Sequence, residues 1–448
     1  MDFHSILNSI YKIVWGPLTI SFVLLIGIFF TFKLKGFCLI RLPHAFSLLF
    51  KKEKDLNARG EISPFSSLMA SLASTIGIGN IAGVATALTL GGAGSIFWMW
   101  MTAIFGMALK YSECVLGVKF RKKEEEYIGG PMYSLKYGVK GKKGTILSIV
   151  FACATVAAAF GMGNAVQSNT IADIFSSVWG VSPIICGLFF SVLVFLIIGG
   201  GIKGITRVTD KIVPFMSIFY ICAGLFVIFV NSNNILPALN EIFTNAFSFT
   251  SAAGGIAGGT FAAALRYGTS RGVMTHESGL GSASITAACT KTEDPAKQGL
   301  IGMTATFIDT IVICTITALC ILTSNVPLNE ETGALLTLRA FSTVLPSANE
   351  ILAISTTMFA FSSVIGWAYL GEVGMRFLLG EESINFYRVF FSVIVALSCL
   401  FSLETVWMVA DIANAFMVIP NLICLILLRK VIFKETSLYK KRSFKKLL

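Results

Sequence analysis

The chain has 448 residues, 55% of them hydrophobic and 13% charged, against about 25% charged in an ordinary soluble domain. That balance excludes a soluble domain and describes a helical protein that crosses a membrane many times. A formal net charge of +11 would suit a nucleic-acid partner, but the positions of the basic residues argue otherwise.

Continuous apolar runs of about 20 residues exclude a β-barrel, whose strands alternate. The ten cysteines lie mostly inside apolar runs and show no CxxC spacing, so they read as core filling. The three histidines, His4, His44 and His276, form no metal-binding pattern. The first apolar run, Ile13 to Phe32, is long enough to span, and no A-x-A-like cleavage site follows it.

In chain order the hydropathy predicts about eleven spans, at 13–33, 66–90, 94–118, 146–174, 182–200, 211–231, 250–270, 298–323, 349–371, 386–402 and 405–429. Longer loops are expected at 34–64, 119–145, 271–297 and 324–348. Thirty-two of the 35 basic residues fall in loops on one side of this scheme or in the C-terminal tail; Lys12, Lys110 and Arg339 fall elsewhere. Such a bias predicts that those loops and the C-terminus are cytoplasmic and the N-terminus outside. The basic surplus is thus a topology signal with some attraction to anionic lipid, and predicts no nucleic-acid partner.

Residues 1–64 read as one peripheral helix and a cytoplasmic linker, and 430–448 as a basic tail. The ten spans between divide into two sets of five, 65–231 and 250–429. An odd number of spans in each set inverts one relative to the other. Each set opens on a glycine-interrupted segment. The first reads Ser74-Thr75-Ile76-Gly77-Ile78-Gly79-Asn80, and the second Gly254-Gly255-Ile256-Ala257-Gly258-Gly259. Two glycines two residues apart beside a β-branched pair make poor helix. A broken helix in lipid survives only where protein, water or a ligand takes up its unpaired N–H and C=O groups. Paired breaks in corresponding positions point to the binding centre of an inverted-repeat transporter. The ordinary alternative for one such stretch is a glycine seam for helix packing.

Several longer strings carry a resemblance. Ser74 to Ala87 is followed by Gly91-Gly92-Ala93-Gly94-Ser95-Ile96-Phe97-Trp98-Met99-Trp100. Later come Gly129-Gly130-Pro131-Met132-Tyr133, Arg266-Tyr267-Gly268 and Glu277-Ser278-Gly279-Leu280-Gly281-Ser282-Ala283. Over nearly its whole length the chain resembles the alanine/glycine:cation symporter family. The resemblance implies an all-α polytopic protein of eleven helices: one peripheral N-terminal helix plus a ten-helix LeuT-like 5+5 inverted repeat. It implies cotransport of alanine or glycine with sodium, less often with protons. The chain resembles sodium:neurotransmitter-type symporters more weakly. That match implies a sodium site from the carbonyls of Ala73 and Ile76 with the hydroxyls of Ser362 and Ser363. It further implies substrate contacts at Thr75, Gly77 and Gly79, an Asn80 amide facing substrate or a second ion, and Trp367 one turn beyond the serines.

The chemistry of the residues is compatible with this. A zwitterion needs N–H donors and a helix N-terminus for its carboxylate, which the half-helices after Gly79 and Gly259 would offer. Its ammonium needs carbonyls or amides, for which Asn164 and Gln167 are candidates. A Gln inside an apolar span is costly unless paired, and an interhelical hydrogen bond is the ordinary alternative for both. Sodium, a hard cation, prefers oxygen ligands, although paired serines also line helix contacts and bond back to the preceding turn. Trp367 and Phe261 would wall the pocket, rejecting an extra methylene by only about 1–3 kcal/mol. Among intramembrane acids, Glu113 has Lys110 one turn earlier and Glu372 has Arg376 at i+4, which suggests local ion pairs. Asp309 has no such neighbour and is a candidate for proton coupling, ion contact or a gate. Arg266, Arg271 and Glu277 read as a cytoplasmic gate network.

The expected activity is sodium-coupled import of a small neutral amino acid by alternating access. Alternatives are proton coupling, or an amino-acid sensor of the same fold that does not transport. The polar residues gather at one depth instead of lining a continuous pore, which disfavours a channel, and no nucleophile–base pair or metal cluster supports an enzyme. The expected partners are the substrate and the bilayer of the cell membrane; no obligate protein partner is evident.

Overall fold

A computed structural model describes residues 16–50, 58–124, 126–248, 261–328, 333–400 and 403–445, and these are almost entirely helical. The peripheral helix α1 is Pro17–Lys33. The first core span is broken into α2, Pro64–Thr75, and α3, Ala82–Gly91. There follow α4 (Gly94–Lys119), α5 (Lys142–Phe160), α6 (Val166–Trp179), α7 (Pro183–Ile198) and α8 (Gly201–Val230). The second half comprises α9 (Phe261–His276), α10 (Ser282–Ala288), α11 (Pro295–Thr306), α12 (Thr315–Thr323) and α13 (Ala334–Ser342). It ends with α14 (Ala348–Leu379), α15 (Ser383–Ser398), α16 (Leu403–Leu427) and α17 (Arg429–Lys445).

Local chemistry explains the key boundaries. Ser63 caps α2, its Oγ accepting the Ser66 N–H at 3.0 Å, with Pro64 at the first helical position. α2 stops at Thr75 because Ile76 turns extended and Gly77 continues so, and a single 3₁₀ turn, Ile78–Asn80, leads into α3. Two other spans widen without breaking. Gly161–Ala165 between α5 and α6, and Phe307–Cys314 between α11 and α12, are π-helical, a widened turn often found at functional sites.

Among the described residues, five helical stretches are individually long and apolar enough to cross a membrane: Gly94–Lys119, Lys142–Trp179, Gly201–Val230, Pro295–Thr323 and Ala348–Leu379. Ile412–Leu427 and Arg429–Arg442 form a sixth only if counted together across a 62° bend, and the remaining apolar helices are shorter. The molecule is a multi-pass membrane protein. Two packing groups meet at the broken span. α4 packs on α9, α10, α11 and α1, whereas α14 packs on α5, α6 and α8; α2 touches both α11 and α14.

Most of the expected spans overlap these helices, although α8 begins ten residues before the expected 211–231 and residues 250–260 lie outside the described ones. One region differs in kind. The stretch expected as the loop 271–297 is largely inside the protein. α9 runs on to His276, and His276, Glu277, Ser278 and the whole of α10 are buried. The run is so polar that hydropathy reads it as a loop, yet its polar atoms are bonded within the bundle. Among the described residues, the second half is interrupted at 277–281, where Glu277, Gly279 and Gly281 have φ of 54°, 100° and 85°. The segment Gly254 to Gly259 lies outside the described residues.

Candidate functional site

Glycine lets the two groups close on the first break. A methyl group built on Gly366 of α14 would lie 2.8 Å from Ser74 N and 3.1 Å from Ala73 C. α14 thus crosses α2 at backbone contact, which brings Ser363 onto the end of α2. Ser363 Oγ donates to the Ile76 carbonyl at 3.2 Å, and Trp367 Nε1 donates to the Ser74 carbonyl at 3.2 Å. On the far side Gly163, in the widened turn before α6, lies beneath the Trp367 ring with no room for a side chain. Gly366 sits alone in an apolar run, whereas Gly163 belongs to a second Gly-x-Gly-Asn string, Gly161-Met162-Gly163-Asn164.

Gly77 occupies the centre. A methyl group there would lie 2.7 Å from Ser363 Oγ, 3.5 Å from Gln167 Oε1 and 3.6 Å from Gln167 Nε2. Gln167 Nε2 donates to the Met162 carbonyl at 3.2 Å, while its buried Oε1 has no hydrogen-bond partner among the described residues. A buried amide oxygen left unpaired is costly. This one faces the break, where an ammonium group would satisfy it.

Asn80 closes the break from the other end. Its Oδ1 accepts the Gly77 N–H at 3.0 Å, and its Nδ2 donates to Asp309 Oδ1 at 2.7 Å and to the Asp309 carbonyl at 3.3 Å. Asp309 lies in the widened turn after α11 and also accepts from Thr310 Oγ1 at 2.8 Å. The end of α9 joins the same cluster. Thr275 Oγ1 lies 3.4 Å from Thr310 Oγ1, and Thr275 Cγ2 would lie 3.3 Å from a methyl group on Gly79. Two breaks and a π-helical turn thus share one buried oxygen-rich cluster.

The remaining candidates separate. Thr75 and Ser362 hydroxyls bond back to Ser71 and Phe359 carbonyls in their own helices, the ordinary use of a helical hydroxyl. Ala73 is buried against Gly366. Asn164 serves packing, its Nδ2 donating to the Phe391 carbonyl at 2.8 Å and its Oδ1 accepting from Ser168. Phe261 is at the first residue of α9, edge-on to Trp98. That is fifteen residues from His276, roughly 22 Å of helix. Gly259 lies outside the described residues. Arg266 and Arg271 are within α9, not in a loop. Arg266 stacks on Tyr267, while Glu277 accepts from Ser282 Oγ at 2.7 Å ten residues further along. The three do not assemble into one gate.

Of the local ion pairs, Glu372 meets Arg376 at 3.5 Å as expected and Arg388 more closely, at 2.7 and 3.0 Å. Lys110 and Glu113 instead both reach the break after α9: Lys110 Nζ donates to the His276 carbonyl at 2.7 Å, and Glu113 Oε1 accepts the Gly279 N–H at 2.8 Å.

The "Sodium:alanine symporter family" model matches residues 1–447. The chain belongs to the sodium:alanine symporter family. "Sodium/alanine symporter AgcS" of Methanococcus maripaludis is 45% identical over 446 residues, covering 98% of each chain. The "Probable sodium/glutamine symporter GlnT" of Bacillus subtilis is 36% identical over 437 residues, covering 96% of this chain and 89% of its own. The crystal structure of MhsT in complex with L-phenylalanine superposes with a TM-score of 0.62 at 12% identity, covering 85% of this chain and 93% of that one. This last likeness establishes the LeuT-type fold. Membership of the sodium:alanine symporter family makes the molecule a sodium-coupled amino-acid transporter and not an enzyme.

Proposed function

We propose that this transporter imports a small neutral amino acid, L-alanine or glycine, with sodium by alternating access, its N-terminus outside and its C-terminus cytoplasmic. The reading rests above all on the meeting at Gly77 of Ser363 Oγ, the Ile76 carbonyl and the unpaired Gln167 Oε1. In it, Ser363 and the Ile76 carbonyl contribute oxygens to sodium, with Ala73 and Ser362 joining them after small rotations. Gln167 accepts from the substrate ammonium, and N–H groups at the start of α3 meet the carboxylate. Trp367, held by Ser74 and underlain by Gly163, limits the size of the side chain.

The halves at 65–231 and 250–429 act as the inverted repeats, and the group around α4 rocks against the group around α14. Sodium completes the break from the α14 side, so an ion-loaded site favours substrate. Asp309 hydrogen-bonds directly to Asn80, which gives a proton-coupled version of the same cycle a specific acid.

The test is labelled alanine uptake into proteoliposomes under a sodium gradient or a proton gradient alone, for wild type and Gln167→Ala, with glycine and glutamine as competitors. Sodium-driven uptake with a KM raised about tenfold or more in the variant is expected from loss of a hydrogen bond to a charged group. Uptake driven by protons alone moves the coupling to Asp309. Binding without uptake in either gradient identifies a sensor, and stronger competition by glutamine than by glycine overturns the small-substrate assignment.

A further inference from the structure

The break at 277–281 needs an explanation that the substrate site does not provide. It holds a non-glycine residue, Glu277, at φ 54° and glycines at 100° and 85°, backbone that persists only where its surroundings enforce it. The groups that enforce it come mainly from α4. Lys110 and Glu113 stand three residues apart and so share one face of that helix, and both are buried. Lys110 Nζ donates to the carbonyl of His276, the last residue of α9 (2.7 Å). Glu113 Oε1 accepts the N–H of Gly279, in the middle of the break (2.8 Å).

The polarities match. The C-terminal end of a helix carries unpaired carbonyls and partial negative charge, which a cation satisfies, whereas the freed N–H groups beyond it need an anion. Asn421 of α16 completes the grip, its Nδ2 donating to Glu113 Oε1 and to the Gly279 carbonyl, each at 2.8 Å. Within the break, the Ser278 N–H donates to His276 Nδ1 at 3.0 Å.

We infer that Lys110 and Glu113 are positioning residues: a charge-matched clamp that fixes the second break and, through it, the Thr275 end of α9 against Gly79 and Thr310. They touch no substrate in this arrangement. The effect on transport rests on the function proposed above; the effect on the backbone does not.

The test uses the full-length protein with Glu113→Ala, Glu113→Gln, Asn421→Ala and Lys110→Met. Amide hydrogen exchange of the peptide containing 277–281 is read first, because it requires no substrate. Glu113→Ala, Asn421→Ala and Lys110→Met each speed exchange there by about tenfold or more, from loss of a hydrogen bond to a charged group or to its support. Glu113→Gln, which retains an acceptor oxygen for Gly279 but not the charge, exchanges at a rate between wild type and Glu113→Ala. In proteoliposomes Glu113→Ala raises the alanine KM by a similar factor, and Glu113→Gln recovers part of that loss. A Glu113→Ala/Asn421→Ala double variant is little worse than Glu113→Ala, because both residues act on Gly279. Unchanged exchange in Glu113→Ala, or exchange in Glu113→Gln as fast as in Glu113→Ala, overturns the clamp. If Glu113→Ala does not fold, Lys110→Met and Asn421→Ala decide by the same exchange criterion. Wild type that takes up no alanine, with exchange behaving as stated, defeats the proposed substrate and leaves the clamp standing.

Discussion

Ser362 and Ser363 are neighbours on α14 with different surroundings. Ser363 reaches across to Ile76, while Ser362 bonds within its own helix. Ser363→Ala is therefore expected to raise the sodium concentration for half-maximal uptake by about tenfold, and Ser362→Ala by much less. Uptake measured against sodium at fixed alanine separates them, and an unchanged sodium requirement in Ser363→Ala would refute the assignment. Gly77 is a stricter test. A methyl group 2.7 Å from Ser363 Oγ requires that hydroxyl to move, while Gln167 Oε1 would stand at an ordinary contact distance of 3.5 Å. Gly77→Ala should fold, being one added carbon, yet lose alanine binding; calorimetry with detergent-solubilised protein reads both. The paired glycines and the polar intramembrane Gln marked this centre in the sequence. The role of Gly366 was not legible, because a lone glycine in an apolar run gives no sign of which helix crosses it, and the string Gly161-Met162-Gly163-Asn164 gave no sign that Trp367 lies against it.

At the scale of elements, the first break was legible because two glycines and an Asn interrupt an apolar run, and each has a local conformational consequence. The break at 277–281 was not legible, because its dominant feature is buried polarity. Thr275, His276, Glu277 and Ser278 look like a solvated loop until Lys110, Glu113, Ser282 and Thr306 are seen around them. Those partners lie up to 166 residues away in the chain, as Lys110 does from His276, and no local pattern records such pairings. Asp309 links the first break to α11. Asp309→Asn keeps an oxygen for Asn80 and removes one charge. If sodium is the coupling ion, this variant still accumulates alanine under a sodium gradient, with altered ion affinity. If protons are, pH-driven uptake disappears. Parallel flux assays under the two gradients give the answer.

Over the whole molecule, α17 turns 62° away from the end of α16 and lies against the end of the molecule that carries the basic loops. Thr436 Oγ1 meets the buried Tyr111 hydroxyl at 2.7 Å, Lys119 meets Glu435 at 2.7 Å, and Arg442 meets Asp294 at 3.1 Å. The two ion pairs each have a partner near half-exposed and contribute little. The Tyr111–Thr436 bond is sealed, so Thr436→Val leaves a hydroxyl unsatisfied at a cost of about 1–3 kcal/mol. A lowered unfolding temperature with an unchanged alanine KM is expected, and thermal scans beside uptake assays check it. A shifted KM would mean that α17 acts on the transport cycle. The chain-wide arrangement was the most legible level of all. Hydropathy placed most of the spans, with ends that differ by as much as the ten residues at the start of α8, because burial in lipid constrains every residue of a span at once.

The widened turns at Gly161–Ala165 and Phe307–Cys314 have a consequence for sequence change. Each accommodates one residue more than an α-helix would, seen in the Val166 N–H reaching the carbonyl five residues back at Gly161. Deleting one residue there would relax the turn to α geometry and rotate everything on one side by about 100° relative to the other. Gln167 would swing away from Gly77 while the apolar packing of α5 stayed in place. These two stretches thus set the rotational phase between the part of each span that anchors and the part that binds. A chain able to lose or gain a residue at such a turn could exchange one ligand-facing stripe for another without redesigning its core.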